Sequence, residues 1–278
     1  MVSLKQVLKK CGNSILEPFG LEIHRKPTAT DHARNSMRAA LEHLKNLDFY
    51  PKTVIDVGAA FGTEPLYAVF PLARHILIEP LEEFKPVLDQ LSEKLAPVKL
   101  EYIIAAAVEK SGTVTLHVHP DLVGSSLYLE DEDSDVNGVS RVVPAVTLDQ
   151  VCREWKLDSP FLIKADVQGA ELDVLKGGIE TLKLTEYVIL ETVLFQTFIN
   201  GSSFLDVIEF MKQQGFVVYE VFEPLYRPLD GAMSQIDIAF VKEAGRFKKY
   251  HSYANKEQRA AQNKAINELL VGNSVVRS

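Results

Sequence analysis

The stretch VIDVGAAFGTEP, Val54–Pro65, decides the fold because it contains a buried strand, a glycine-rich turn and the start of a helix. Gly58 and Gly62 let the backbone turn sharply and approach a ligand closely. The two glycines follow the pattern G-x-x-x-G, so the loop is not the G-x-G-x-x-G dinucleotide fingerprint, and no G-K-[S/T] of a P-loop follows it. The loop therefore favours a nucleoside ligand that lacks a pyrophosphate.

Short apolar strands alternate with helical segments from Thr53 to Lys242. The predicted strands are TVIDVG, HILIEP, VKLEYIIAAA, FLIKADV, YVILETV, FVVYEVF and IDIAFVK. Two further strand-like pieces, TVTLHVHP and RVVPAV, flank the acidic segment Asp121–Ser140. Apolar strands separated by helices predict a mostly parallel sheet with helices on both faces, and the last two strands, with no helix between them, predict an antiparallel hairpin. We expect a doubly wound α/β fold with a seven-stranded sheet and a C-terminal antiparallel hairpin.

Three regions follow from this pattern. Residues 51–243 are expected to form the catalytic domain, preceded by a helical extension at residues 1–50 and followed by a basic tail at residues 244–278 in which a helix can form.

The net charge of -8 argues against general nucleic-acid binding. Residues 1–30 nevertheless carry five Lys or Arg against two Glu, and residues 245–278 carry seven against two. We expect both basic ends to be solvated tails, and the alternative is that they contact a partner or an anionic membrane surface.

The remaining composition bears on the cellular setting. No apolar run approaches the roughly 18 residues needed to span a bilayer, and the N-terminus lacks the long apolar segment of a signal peptide. Cys11 and Cys152 are widely separated, which fits a reducing compartment. We expect a cytoplasmic protein without a transmembrane segment, and association into a homo-oligomer stays open.

An acid at the end of the second predicted strand supports a nucleoside site. Glu79 follows the glycine loop by about 20 residues, where a carboxylate can accept hydrogen bonds from a ribose diol. S-adenosylmethionine has a ribose and adenine but carries a sulfonium and an amino acid in place of phosphates, and Asp56 could face that cationic part directly or through the loop. The alternative is that the glycine turn serves packing alone. Glu79 and the strand order together disfavour this alternative.

The segment FLIKADVQGAELDVLKGG, Phe161–Gly178, places charged residues at the mouth of a buried strand. In an open α/β sheet, ligands bind outside the carboxyl ends of the strands. Asp166 should therefore face the cofactor crevice, where it can orient an acceptor hydroxyl and take its proton. Lys164 can lower the pKa of that acid or bind an acceptor oxygen. The alternative for Lys164 and Glu171 is structural, with Glu171 capping the helix and Lys164 pairing with it.

Glu191 in the predicted strand YVILETV should reach a comparable level on the neighbouring strand. Adjacent strands lie about 4.8 Å apart, so Asp166 and Glu191 could converge on one hydroxyl or on one hard cation such as Mg²⁺ or Ca²⁺. Two acids do not make a metal site, and a divalent metal is not expected.

The ordered set VIDVGAAFG, HILIEPLEEF and KADVQGAELDVLKGG, together with TLDQV, resembles the FkbM family of S-adenosylmethionine-dependent methyltransferases. The resemblance spans about Thr53 to Lys242 and implies a class I methyltransferase fold that uses S-adenosylmethionine to methylate a hydroxyl of a sugar, glycan or secondary metabolite. Gln168 stands where many relatives have Glu. By position, the resemblance implies cofactor contacts from Asp56, Gly58, Ala59, Gly62, Glu79, Ala105 and Ala106.

The predicted catalytic residues are Asp166, Lys164 and Glu191. If a metal is bound, Asp166 and Glu191 would be its ligands. Substrate contacts are expected from Gln168, Glu171, Ser125 and Ser126, and the aromatic residues Phe195, Phe198 and Tyr226 could wall a pocket for a small-molecule or glycan acceptor. Two other functions stay open. One is a nicotinamide-dependent oxidoreductase, which the glycine spacing and the terminal hairpin disfavour. The other is a non-catalytic nucleoside-binding module, which the acids beside the crevice disfavour.

Overall fold

The computed structural model describes residues 34–132 and 135–274. Most of the predicted N-terminal extension therefore lies outside the described residues. The three-region division of the chain stays a prediction. No helix among the described residues has both the length and the apolar character that crossing a membrane requires.

The described part of the chain forms ten strands, which we number in chain order. They are Thr53–Val57 (β1), Arg74–Glu79 (β2), Lys99–Ile104 (β3), Ala106–Ala107 (β4), Gly112–Val118 (β5), Val139–Val146 (β6), Phe161–Ala165 (β7), Thr185–Val193 (β8), Phe216–Tyr226 (β9) and Met233–Lys242 (β10).

Eight α-helices accompany these strands in the described residues. They are Met37–Asn46 (α1), Glu64–Val69 (α2), Lys85–Lys94 (α3), Leu148–Glu154 (α4), Glu171–Lys176 (α5), Ile179–Lys183 (α6), Phe204–Gln213 (α7) and Lys256–Ser274 (α8). The last of them lies in the basic tail, at residues where the sequence allowed a helix.

Seven strands form the central sheet in the order β3-β2-β1-β7-β8-β10-β9. Strands β3, β2, β1, β7 and β8 are parallel, whereas β10 is antiparallel to both β8 and β9. The predicted mostly parallel sheet with an antiparallel C-terminal hairpin is therefore confirmed. Helices α1 to α3 contribute to a core on one face and α4 to α7 to a core on the other.

The third predicted strand, VKLEYIIAAA, is shorter in the structure than in the sequence-based expectation. The Ala105 N–H still bonds the carbonyl of Glu79 on β2, at 3.0 Å, but Ala106 and Ala107 pair with Ala145 and Val146 of β6 instead. A second sheet with the order β4-β6-β5 results. The two strand-like pieces around the acidic segment thus pair with each other, and this small sheet lies beside the carboxyl ends of the main one.

Strand β1 is an interior strand of the main sheet, next to the central strand β7, and is buried over its whole length. Val54 packs into the core of one face, and Ile55 and Val57 pack into the core of the other. Because β2 and β7 run parallel to β1 on either side, the carboxyl ends of all three strands lie at the same end of the sheet. A ligand cavity is expected there.

The loops after β1 and β7 touch through their backbones at Gly58. This residue has φ +73, and a Cβ added to it would lie 1.8 Å from the carbonyl oxygen of Asp166. Only glycine combines that backbone conformation with so close an approach. The Asp166 N–H in turn donates to the Val57 carbonyl at 3.1 Å, so the two loops are held together from both sides.

Replacing Gly58 with Ala should therefore cost more stability than backbone strain alone. A suitable control is Gly215→Ala, because Gly215 has a similar φ of +78 but no atom within 4 Å of its added Cβ. We expect a loss of about 1–2 kcal/mol for the control, from the left-handed backbone, and at least about 1 kcal/mol more for Gly58→Ala. Urea unfolding of both variants measures the difference, and equal losses would contradict the close approach.

Candidate active site

A cavity of about 240 Å³ opens at the carboxyl ends of β1, β2 and β7. Most of the predicted cofactor residues line it, namely Gly58, Ala59, Gly62, Glu79 and Ala106. Ala105 is buried next to this wall. The expected loop, strand end and third-strand region are thus brought together around one cavity.

Glu79 is almost fully buried but lines the cavity. One carboxylate oxygen accepts from the Ala60 N–H and the other from the Leu81 N–H, each at 2.9 Å. Burial raises the pKa of Glu79, against the effect of these two backbone donors. Each oxygen keeps a further lone pair, so the carboxylate can still accept hydrogen bonds from a ligand.

Asp56 lies beneath the cavity rather than on its surface, since its side chain is fully buried. It accepts hydrogen bonds from the Thr63 hydroxyl at 3.2 Å and from the Tyr67 hydroxyl at 3.0 Å. Burial and the charge of Asp56 both raise the pKa of Tyr67, which therefore keeps its proton. Thr63 and Lys164 line the cavity, and both interact with Asp56. The sequence left open whether Asp56 acts on a ligand directly or through its neighbours, and only the indirect action fits this geometry.

Lys164 is a buried cation between two acids. Its Nζ lies 3.2 Å from Asp166 Oδ2 and 3.7 Å from Asp56 Oδ1. Burial alone would lower the pKa of Lys164, but the two carboxylates outweigh it and raise that pKa. The expected alternative, in which Lys164 pairs with Glu171, is wrong because the lysine pairs with these two acids instead.

Glu171 serves the loop that precedes α5. Its Oε1 accepts from the N–H groups of Val167 and Gly169, at 3.3 and 3.2 Å. The side chain is buried, and burial raises its pKa to about 7. Val167 and Gly169 precede the helix, which has no side-chain cap. Glu171 is thus directed to the loop backbone rather than to the cavity, and it does not cap the helix in the way that the structural alternative expected.

Asp166 and Glu191 converge as expected, and Gln168 joins them. The Gln168 amide donates to Asp166 Oδ1 at 2.8 Å and to Glu191 Oε2 at 3.0 Å. Gln235 on β10 donates to the same Glu191 oxygen at 2.8 Å. No pattern in the sequence pointed to Gln235, which β10 delivers because Asp237, two residues further along that strand, is in register with Glu191 of β8.

The two carboxyl groups differ in protonation. Burial, followed by the charge of Asp166, raises the pKa of Glu191 to about 9, so Glu191 is neutral at pH 7. Burial works against ionisation of Asp166 as well, but Lys164, Glu191 and Gln168 stabilise its carboxylate and lower its pKa. Glu191 therefore holds the proton and donates a hydrogen bond to an ionised Asp166. Asp237, also buried nearby, has its pKa raised to about 7, chiefly by burial.

The loop carrying Gln168 is fixed by a serine. Gln168 has a left-handed φ of 53, and its carbonyl accepts from the Ser126 hydroxyl at 2.6 Å. Ser126 is buried, and its hydroxyl is occupied by this hydrogen bond to the loop. Ser125 lines the cavity, although its hydroxyl already donates to the Leu122 carbonyl at 2.7 Å. The substrate roles expected for Ser125, Ser126 and Gln168 stay predictions.

Several apolar cavity residues were missed by the sequence reasoning. Phe61 and Phe84 meet edge to face, with ring centroids 5.1 Å apart, at the rim of the cavity. The remaining apolar lining includes Leu116, Leu122 and Leu127 from the second sheet and its loop. The aromatic pair follows the glycine loop and the second strand closely in sequence and could have been found there, whereas the leucines depend on a sheet that was not expected.

A second and larger cavity adjoins the first. It is lined by Phe195, Phe198 and Tyr226, as predicted for an acceptor pocket, and Gln168 lines both cavities. Within residues 34–132 and 135–274, no group of three or more His, Cys, Asp or Glu side chains is arranged to hold a metal ion.

The strand order and the cavity at the carboxyl ends define a class I methyltransferase fold. A family model described as the methyltransferase FkbM domain matches residues 56–218. The chain belongs to the FkbM methyltransferase family, as the motifs predicted. This membership disfavours the nicotinamide oxidoreductase and the non-catalytic module.

Two curated relatives are methyltransferases. Methyltransferase sdnD of Sordaria araneosa is 29% identical over 171 residues, which cover 50% of this chain and 65% of that protein. The 2-O-methyltransferase NoeI of Sinorhizobium fredii (strain NBRC 101917 / NGR234) is 26% identical over 206 residues, covering 69% of this chain and 77% of that one. The chain therefore spans slightly less than two thirds of the first relative.

Solved structures resemble the chain more distantly. Magnesium protoporphyrin IX methyltransferase of Synechocystis PCC 6803, solved with bound SAM, has a TM-score of 0.44 at 12% identity, covering 87% of this chain and 98% of its own. The 1,6-didemethyltoxoflavin-N1-methyltransferase of Burkholderia thailandensis has a TM-score of 0.37 at 15% identity, covering 85% and 87%. Because these TM-scores are below 0.5, the fold is identified from the strand order and the family model and not from these structures.

The protonated state of Glu191 predicts a pH-dependent effect of Glu191→Gln. The amide can accept from Gln168 and Gln235 and donate to Asp166, as the neutral acid does. Between about pH 4.5 and 9 the native protein retains a proton that the unfolded chain has lost, so wild-type stability falls as pH rises through this window. The variant lacks this loss. Its free energy of unfolding, relative to that of the wild type, should therefore increase by up to about 1.4 kcal/mol for each pH unit.

Urea unfolding at pH 6 and pH 8 measures this gain. The exposed Glu257 of α8 supplies a control, because Glu257→Gln should change stability equally at both pH values. A constant difference between wild type and Glu191→Gln would show that Glu191 is ionised in the native protein.

Proposed function

We propose that this protein is an S-adenosylmethionine-dependent methyltransferase that methylates a hydroxyl of a sugar, a glycan or another hydroxylated small molecule. The observation that carries the proposal is the position of Gln168, which lines both an acidic cofactor cavity and a second cavity large enough for an acceptor, and which bonds Asp166 in the first cavity. The relative NoeI is a 2-O-methyltransferase, which supports an oxygen acceptor.

The residues around the first cavity fit this cofactor. Glu79 and Asp166 line the cavity and Asp56 lies beneath it, whereas Lys164 is the one cation among the described lining residues. The charge around the cavity therefore suits a ligand that carries a sulfonium and an ammonium group. Glu79 would hold the ribose, and the backbone from Gly58 to Gly62 would take the amino acid part. When bound, S-adenosylmethionine supplies an electrophilic methyl group.

Asp166 is proposed to orient the acceptor hydroxyl and to receive its proton. Its carboxylate is held by Lys164, Gln168 and Glu191, so it is pre-oriented in the first cavity next to Gln168, the residue that both cavities share. The same partners make Asp166 a weak base. A weak base suffices here, because the hydroxyl proton becomes strongly acidic as the oxygen forms its new bond to carbon. Accurate positioning of the hydroxyl supplies most of the remaining contribution.

A divalent cation between Asp166 and Glu191 is the alternative. Both carboxyl groups accept from the Gln168 amide, and Lys164 is bonded to Asp166. A cation would have to replace these donors, so we propose a reaction in which the amide and the ammonium take the place of a metal.

The cellular setting is proposed from weaker observations. Cys152 is a free thiol, which suits a reducing, cytoplasmic environment. Side chains of α8 whose exposure is described are solvent-exposed, in keeping with the proposal that the basic tail is solvated.

Glu79→Ala should weaken the binding of S-adenosylmethionine by about 1.5–3 kcal/mol, because charge-assisted hydrogen bonds to the ribose are lost. Glu83→Ala is the matched control, since Glu83 is a nearby acid bonded to Arg141 on the surface. Isothermal calorimetry with S-adenosylmethionine, S-adenosylhomocysteine and NAD measures both variants. Unchanged affinity in a folded Glu79→Ala protein rejects the ribose contact, and binding of NAD alone rejects the proposed cofactor.

Asp166→Asn keeps the size of the side chain but removes its charge and basicity. Cofactor affinity should change little, whereas turnover should fall by roughly 10²-fold or more, as is typical when a general base is lost. Mass spectrometry of methylated products from a panel of hydroxylated acceptors provides the assay. Thermal melting of the variant shows whether Lys164, which loses a charged partner, still permits folding.

Repeating the assay with a chelator, and then with added Mg²⁺ or Ca²⁺, separates the two roles of Asp166. Wild-type activity that survives the chelator, together with an inactive but cofactor-binding Asn variant, supports the orienting role. Activity that the chelator abolishes indicates metal ligation by Asp166 and Glu191. Near-normal turnover of the variant would leave Asp166 with a structural role only.

A further inference from the structure

The second cavity has a volume of about 1020 Å³ and meets the cofactor cavity at Gln168. Its walls come from the segment after β8, from the tip of the β9–β10 hairpin and from residues 130–132. Gln235 also lines it and donates to Glu191. A ligand held in this cavity therefore has atoms next to the groups that surround Asp166.

One wall is joined by backbone hydrogen bonds across two loops. The Asp131 N–H donates to the Thr197 carbonyl at 3.1 Å, and the Ile199 N–H donates to the Leu129 carbonyl at 2.8 Å. Asn137 bonds both the N–H and the carbonyl of Glu130, at 2.7 and 3.1 Å. These bonds make the wall a defined part of the fold.

The hairpin tip is fastened to the opposite wall by Arg227. Its guanidinium carbon lies 3.8 Å from the centre of the Phe195 ring. The same guanidinium makes two hydrogen bonds to Asp230, at 2.8 and 2.7 Å. The arginine is thus used to hold the tip in place, and its charge is neutralised within the tip.

The exposed lining combines apolar faces with neutral polar groups. Tyr226 is 56% exposed, and Leu225 and Leu229 extend the apolar surface beside it. Thr197 and Gln196 supply a hydroxyl and an amide on the facing segment. A sugar ring matches this pattern, because its C–H face can lie on an aromatic ring while its hydroxyl groups bond amides and hydroxyls at the edge.

The charge of the cavity walls is negative. Glu130, Asp131 and Glu132 line the cavity, and no described residue forms an ion pair with any of them. Burial raises the pKa of Glu130, and repulsion from Glu132 and Asp121 adds to this effect, whereas attraction to His119 opposes it. The one cation among the described lining residues, Arg227, already pairs with Asp230. A phosphate or carboxylate on the ligand would therefore meet uncompensated negative charge.

We propose that this cavity binds the methyl acceptor and selects an uncharged or cationic glycan of two or more sugar rings. This assignment rests on the proposed methyltransferase function. The volume slightly exceeds the range of about 300–1,000 Å³ that is usual for sites of drug-sized ligands, which gives room for more than one ring. Tyr226 provides the stacking surface, and the three acids exclude anionic acceptors.

Three sugar trimers of equal ring number but different charge test the proposal. They are maltotriose, which is neutral, a cationic glucosamine trimer and an anionic galacturonic acid trimer. Dissociation constants are measured by ligand-observed NMR on the full chain saturated with S-adenosylhomocysteine, so the measurement does not depend on turnover. We expect the anionic trimer to bind at least roughly tenfold more weakly than the other two.

Two variants assign the effect to the named residues. Tyr226→Ala should weaken maltotriose binding by roughly tenfold, whereas Tyr50→Ala, at a tyrosine that is also 56% exposed but lies outside the cavity, should leave it unchanged. The double variant Asp131→Asn/Glu132→Gln should bring binding of the anionic trimer close to that of maltotriose.

Equal binding of neutral and anionic trimers to the wild type would overturn the proposal, as would unaltered maltotriose binding in Tyr226→Ala. Failure of all three trimers to bind also rejects it. Calorimetry with S-adenosylhomocysteine is performed separately on the same protein. Loss of that binding counts against the proposed function, whereas the glycan assignment is decided by the trimers.

Discussion

The buried ammonium group of Lys164 is the interaction on which the site depends. It lies between Asp56 of β1 and Asp166, which follows β7. A charge taken out of water must be paired, and removal of one partner from a buried pair typically costs about 3–5 kcal/mol. The ammonium therefore ties the ends of the two central strands to each other. The first cavity opens at these ends, so its geometry depends on this one shared charge.

The sequence contained enough information for the main sheet because its strands are near-continuous apolar runs bounded by turns. The same pattern predicted that Asp166 would lie beside the first strand and that Glu191 would reach it from the next. Parallel neighbours bring equivalent ends together, so strand order is sufficient for that inference. The break at Ala105 could not be foreseen, because the run from Tyr102 to Ala107 is apolar throughout and only the pairing with β6 ends the strand there.

Other features of the site depend on contacts between distant parts of the chain. The sequence offers Lys164 several acidic partners. Glu171 is not one of them in the structure, because its carboxylate accepts from the N–H groups of Val167 and Gly169 instead. Gln168 adopts a left-handed backbone conformation that is uncommon for a residue other than glycine. Such conformations concentrate at functional sites, where the surroundings hold them. Here Ser126 provides that support from another loop.

The insertion of β10 between β8 and β9 has a consequence for the order in which the protein can assemble. Strand β8 has β10 rather than β9 as its neighbour, so during synthesis its outer edge stays unpaired until residues 233–242 have left the ribosome. Unpaired strand edges in unfinished chains invite association with other chains. Gln235 arrives with that same strand. The contact that completes the surroundings of Glu191 is therefore among the last to form, and a nascent chain cannot present the finished site before its sheet is closed.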